Sequence, residues 1–112
     1  MRKVELIGEA SYVKSVKEAG GVWILMEENK LYSTKAENGN NLFTWTSQEE
    51  AEAFAVKTKH KKLSGVFAPI EIILNSWLIS ESMQIVEVSA CPRQGISTLT
   101  YTSEEYLETF KT

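Results

Sequence analysis

The chain contains no aspartate; all fifteen of its acidic residues are glutamate. It has one histidine (His60), one cysteine (Cys91) and two arginines (Arg2 and Arg93). Each scarcity closes off some chemistry. A structural zinc site usually takes four Cys or His ligands, and this chain has two such residues. The aspartate-built calcium loop is missing. A Ser-His-Asp triad lacks its acid, although glutamate can fill that role. Neither the Walker A motif nor GxGxxG occurs. A lone cysteine has no internal disulfide partner, which fits a reducing compartment. Ten lysines stand against two arginines in a chain of net charge −3 and pI about 5.2. That balance argues against nucleic acid, whose binders carry basic, arginine-bearing surfaces. No apolar run reaches the roughly eighteen residues of a membrane span. The start, MRKVELIGEA, has no long apolar stretch and is interrupted by Glu5, so it does not read as a signal peptide. The expectation is a soluble, cytoplasmic protein without cofactor or metal.

What is present suits one globular domain over residues 1–112. The 12.6 kDa chain is 43% hydrophobic and 24% charged. A chain of this size buries about two-thirds of its unfolded surface, enough for a core without disulfides. No repeat, low-complexity stretch or linker interrupts it.

Residues 4–19 place Leu6, Ala10 and Val13 at helical spacing, with Val16 close by, and stop at Gly20-Gly21. The run VWILM (22–26) reads as a strand, Glu28-Asn29 as a tight turn, and Lys30 to Ala36 as a second strand. Glu37-Asn38-Gly39-Asn40 is the strongest turn signal in the chain. The third strand is Leu42 to Thr46, with Phe43 and Trp45 on one face. The three form an antiparallel meander. Ser47-Gln48-Glu49-Glu50 is a capping box opening a helix with Ala51, Phe54 and Ala55 on one side. Leu63 to Ala68 reads as a connector or short strand. Pro69 then sits at a helix start, and Ile70, Ile73, Leu74, Trp77 and Leu78 make the clearest helical stripe. Ile72 and Ile79 widen that stripe and imply cover on more than one side. Gln84 to Ala90 reads as a strand, Cys91 to Gly95 as a loop and Ile96 to Tyr101 as a last strand. Thr102-Ser103-Glu104-Glu105 repeats the capping logic before a short helix with Tyr106, Leu107 and Phe110. Strands grouped between helices indicate α+β. The expected architecture is a mostly antiparallel sheet of about five strands, with three or four helices packed largely on one face.

A further set of residues carries a resemblance across about residues 10–110. It comprises Val22-Trp23, Trp45, Glu50 to Ala55, Ile72-Ile73-Leu74 with Trp77-Leu78, Ile85 to Val88, Pro92 with Gly95, and Ser103-Glu104-Glu105 before Leu107. In order and spacing these resemble a family of small bacterial proteins catalogued as the domain of unknown function numbered twenty-seven fifty. Thr46 follows Trp45 where the family pattern has proline. The resemblance implies an α+β fold and brings no activity, ligand or catalytic residue with it.

Five features are candidates for function. Cys91, beside Arg93, is a possible nucleophile or redox thiol if a cation lowers its pKa; its bland role is a small buried residue. Lys57, Lys59, His60, Lys61 and Lys62 form a basic stretch for an anionic partner, or a solvated helix end where positive charge meets the dipole. Trp45, at a strand end, is either core or an interface anchor. Trp77, on the apolar stripe, reads as core. The glutamates Glu49, Glu50, Glu52, Glu104, Glu105 and Glu108 sit in first helical turns, where carboxylates stabilise the helix and add solubility. The reading that absorbs most of this is a non-catalytic interaction module whose partner is another protein or a second copy of itself. The alternatives are a small-molecule binder beside Trp45 or a Cys91-dependent enzyme, and a weak nucleic-acid binder through Lys57–Lys62.

Overall fold

The first helix ends where the glycine pair requires. In the computed structural model, which describes residues 6–58, 62–90 and 99–110, α1 spans Leu6–Ala19. Gly20 follows with φ +80° and donates its N–H to the Val16 carbonyl at 2.8 Å. Glycine enters that left-handed region without the Cβ penalty other residues meet. Tyr12 and Val16 are buried on the inward face of α1.

Strand β1 (Gly21–Glu27) is buried from both sides, which explains its unbroken apolar run. Val22 and Ile24 join one core cluster, and Leu25 joins another on the opposite face with Trp23 packed against it. A two-residue turn at Glu28-Asn29 leads to β2 (Lys30–Leu31), with Glu27 opposite Lys30. The second strand of the expected meander is broken. The chain bends at Tyr32, whose N–H donates to the Leu25 carbonyl at 2.9 Å. It resumes as β3 (Ser33–Ala36), which pairs with β4 (Gly39–Thr44) across Glu37-Asn38. Because of this corner the strands form two sheets instead of one, ordered β2-β1-β5 and β3-β4-β6-β7. Just past β4, Trp45 bridges back to Trp23 by reciprocal N–H···O bonds of 2.8 and 2.9 Å.

Ser47 caps α2 (Gln48–Lys57), its Oγ accepting the Glu50 N–H at 3.2 Å. The stretch read as a connector or short strand is a full strand. β5 (Leu63–Pro69) pairs antiparallel with β1 along its whole length, from Gly21 opposite Pro69 to Glu27 opposite Leu63. The helix after Pro69 is also not a plain α-helix. One turn, α3 (Ile70–Ile72), runs into a π turn at Ile73–Trp77, closed by the Leu78 N–H reaching the Ile73 carbonyl at 2.9 Å. Ile73 is fully buried and Ile70, Leu74, Trp77 and Leu78 pack beside it, as the stripe requires. Ile72 and Ile79 are exposed, so the expected second cover is absent among the described residues.

Strand β6 (Ile85–Ala90) lies parallel to β4, and β7 (Leu99–Thr102) antiparallel to β6. The final helix, α4 (Ser103–Phe110), opens on a reciprocal box: Thr102 Oγ1 accepts from the Glu105 N–H at 3.1 Å, and the Glu105 carboxylate accepts from the Thr102 N–H at 3.0 Å. The fold is α+β, with seven strands and four helices among the described residues. α1, α3 with its π turn, and α4 contribute to the cluster around Ile24, Val88 and Tyr101, while α2 packs on the opposite side of β1 with Trp45 and Phe54. Among the described residues, no helix is long and apolar enough to cross a membrane.

Candidate interaction surface

Among the described residues, those singled out from sequence do not converge on one site. Trp45 is 1% exposed, with its ring 5.2 Å from Phe54 and 6.2 Å from Phe43. It is core between β1 and α2, and its candidacy as a surface anchor is corrected accordingly. A small-molecule site beside it loses its exposed aromatic wall for the same reason. Lys57, the last residue of α2, and Lys62 are exposed. Lys59, His60 and Lys61 lie outside the described residues, as does Cys91. Trp77 is half-buried against the core.

Three of the glutamates, Glu50, Glu52 and Glu105, are hydrogen-bonded. Glu50 accepts from the hydroxyls of Thr46 and Ser47, at 3.1 and 3.3 Å. Glu105 closes the box at α4. An open concavity of about 520 Å³ beside that helix is lined by Thr102, Glu104, Glu105, Glu108 and Thr109. Among the described residues, no group of three or more His, Cys, Asp or Glu could hold a metal ion.

The surface that stands out instead is β5 and the turn after it. Among the described residues, four of the five exposed large apolar side chains fall between Val66 and Ile79: Val66 (38%), Phe67 (37%), Ile72 (44%) and Ile79 (65%). The fifth, Val56, is on α2. β5 is the edge of its sheet, and its seven residues carry no charge. An apolar sheet edge is a template for a further strand unless it is blunted.

Here α2 blunts part of it. Gln48 Nε2 donates to the Gly65 carbonyl at 3.4 Å, and the Gly65 N–H donates to Glu52 Oε2 at 3.3 Å. Gln48 and Glu52 also bond each other, at 3.4 Å. Gly65 lets them come this close, because a Cβ there would meet the Cγ atoms of both side chains at 3.2 Å. At the far end of the strand, Pro69 has no N–H to offer.

Between those ends lies Phe67. Its partner Trp23 spends both backbone groups on Trp45. In an antiparallel ladder the two groups of a residue point the same way, so Trp23 and Phe67 form a pair that exchanges no hydrogen bonds. The Phe67 N–H and C=O therefore face outward, beside a ring stacked edge-on against Trp23 at 5.5 Å. Neither protein-family models nor curated proteins give a match to this chain. What bears on function is the geometry of this edge.

Sequence alone does not reveal this surface, because β5 has no alternating pattern and Glu52 has the position of a helix-capping carboxylate. The available signal is the seven-residue uncharged stretch LSGVFAP ending in proline.

Proposed function

We propose that the protein is a non-catalytic interaction module of the cytoplasm, with the segment Val66–Ile79 as its contact surface. The observation that carries this reading is the edge of β5. An outward N–H and C=O at Phe67 stand within an uncharged strand, and the exposed Val66, Phe67 and Ile72 side chains lie in the same segment. Such an edge offers a partner backbone hydrogen bonds for affinity and side chains for specificity. Three glutamates support the reading because they serve the fold: Glu50 and Glu105 bond at helix starts, and Glu52 covers Gly65. The kinship with the uncharacterised bacterial family belongs to this proposal and adds no chemistry to it.

The test compares partners retained by the wild-type chain with those retained by Phe67→Lys and Ile72→Glu. Ile72 is exposed, so its variant keeps the fold even where Phe67→Lys also disturbs Trp23; unchanged melting temperature confirms this. Association, with self or with another protein, that both variants abolish is the expected result. Association indifferent to both, or none at all, overturns the reading.

A further inference from the structure

We propose that Asn38, at the tip of the β3–β4 hairpin, is a site of spontaneous deamidation, and that its isoaspartate product frees the tip from β6.

Two demands of the fold meet at this turn. The first falls on residue 38, whose φ of +69° lies in the left-handed region. Asparagine is one of the few residues besides glycine that enter that region readily. The second falls on residue 39. A Cβ there would meet the Gln84 carbonyl oxygen at 2.5 Å and Val86 Cγ1 at 2.7 Å, so the position takes glycine. Together the two demands set a glycine after an asparagine, which happens at no other asparagine of the chain. Asn38 is exposed, so water reaches it.

Glycine is the successor that least hinders the ring closure by which asparagine loses its amide. The Gly39 amide nitrogen, after giving up its proton, attacks the Asn38 side-chain carbonyl carbon. The N–Cγ bond forms, the Cγ–Nδ2 bond breaks, and ammonia leaves a cyclic imide. Water then opens the ring. Attack at Cγ restores the main chain and gives aspartate. Attack at the main-chain carbonyl of residue 38 leaves Gly39 joined through the side chain. That product is isoaspartate, and its main chain is longer by one carbon.

The fold slows the first step and decides what the product does. The Asn40 N–H donates to the Gln84 carbonyl at 2.8 Å, and Asn40 Nδ2 donates to the Met83 carbonyl at 3.0 Å. The Asn40 N–H thus points away from β3, so the groups of the preceding Gly39 point towards Ala36, its partner in the ladder. The attacking nitrogen is committed while the turn is closed, and ring closure waits for the tip to open. Once isoaspartate has formed, the added carbon has no room. Gly39 already lies closer to Gln84 and Val86 than a Cβ allows. The lengthened turn cannot keep both the Ala36–Gly39 pair and the Asn40–Gln84 bond, and the tip lets go of the start of β6. β1 and β5 belong to the other sheet and keep their pairing.

The test is to hold the folded full chain at physiological temperature, at neutral and at mildly alkaline pH, and to map its peptides by mass. Fragmentation that separates aspartate from isoaspartate identifies the product, and any aspartate found is a product because the chain has none of its own. Asn38 should convert ahead of the other four asparagines, with isoaspartate in excess and a faster rate at alkaline pH. Conversion should run about tenfold slower than in the guanidinium-unfolded chain, since it needs the tip open. In the purified isoaspartate form the Asn40 amide should exchange with solvent about tenfold faster than in the unmodified chain, while the β5 amides keep their rates. Asn38→Asp adds the charge without the extra carbon and should leave the Asn40 amide near wild type. Asn38→Gly keeps the left-handed turn and should abolish the charge heterogeneity that builds up in the wild type. The proposal is overturned if another asparagine converts first, if folding gives no protection, or if heterogeneity persists in Asn38→Gly. It is equally overturned if the Asn40 amide is unchanged in the isoaspartate form, or is loosened as much by Asn38→Asp.

Discussion

The Tyr12 hydroxyl occupies the centre of a buried relay. It lies 2.6 Å from Thr44 Oγ1 and 2.8 Å from the Tyr106 hydroxyl, while Thr44 Oγ1 donates to the Ser89 carbonyl at 2.9 Å. A hydroxyl has one proton. Thr44 spends its own on Ser89, so Tyr12 donates to Thr44 and Tyr106 donates to Tyr12. The chain runs one way, from α4 through α1 to the β4–β6 pair. Tyr12→Phe breaks both of its links and leaves a buried donor and a buried acceptor without their partner, which should cost about 2 kcal/mol. Tyr106→Phe removes one donor to Tyr12 and should cost less, about 1 kcal/mol. Urea unfolding midpoints of the two variants test that order, and equal losses would contradict the direction of the relay. Gln84 is exposed and held at φ +51° just before β6, a strained backbone conformation for a residue with a Cβ. Gln84→Gly should raise stability by about 0.5 kcal/mol, since glycine enters that region without Cβ strain. Thermal unfolding reads the change.

At the scale of elements, the edge of β5 depends on a glycine in one strand and two side chains of one helix. Gly65→Ala places a methyl against the Cγ atoms of Gln48 and Glu52 and should push them off the edge. The amide at position 65 should then exchange with solvent faster than in the wild type, while the denaturation midpoint changes little. Exchange measured by NMR checks this, and an unchanged rate would mean that Gln48 and Glu52 do not cover the strand in solution. At α4, Thr102→Ala should cost about 1 kcal/mol through loss of the cap. Elements of this local kind are legible in the amino-acid sequence. The boxes at Ser47 and Thr102, the stop at Gly20 and the turn at Glu37-Asn38 keep donor and acceptor within a few residues of each other. β5 is not legible in that way, because what makes it a strand is β1, some forty residues earlier. The π turn is hidden for a related reason: Ile73, Leu74, Trp77 and Leu78 fit an α-helical stripe, and burial of their packed face is compatible with an extra residue in the turn.

At the scale of the whole molecule, β1 is a wall shared by two cores. The apolar run VWILM announces a buried strand, but its alternation assigns Val22 and Ile24 to one side and Trp23 and Leu25 to the other only once both sides are filled. The same holds for Trp45, whose strand-end position leaves core and surface both open until α2 closes over it. The two sides differ in what holds them. The side facing α1, α3 and α4 is a large cluster tied by the hydroxyl relay. The α2 side is smaller and relies on aromatic contacts, with Phe54 touching Tyr32, Phe43 and Trp45 at ring separations of 6.3, 5.6 and 5.2 Å. Units with fewer buried contacts open at lower free energy than the rest of a domain. α2 should therefore open as a unit ahead of β4 and β6, uncovering Trp45. Phe54→Ala should widen that gap, costing about 3 kcal/mol on the α2 side. In native-state hydrogen exchange, the α2 amides of this variant should lose protection and Trp45 emission should shift to the red, while amides of β4 and β6 keep most of theirs. If every amide loses protection together, the two cores are one cooperative unit and β1 transmits the loss from one face to the other.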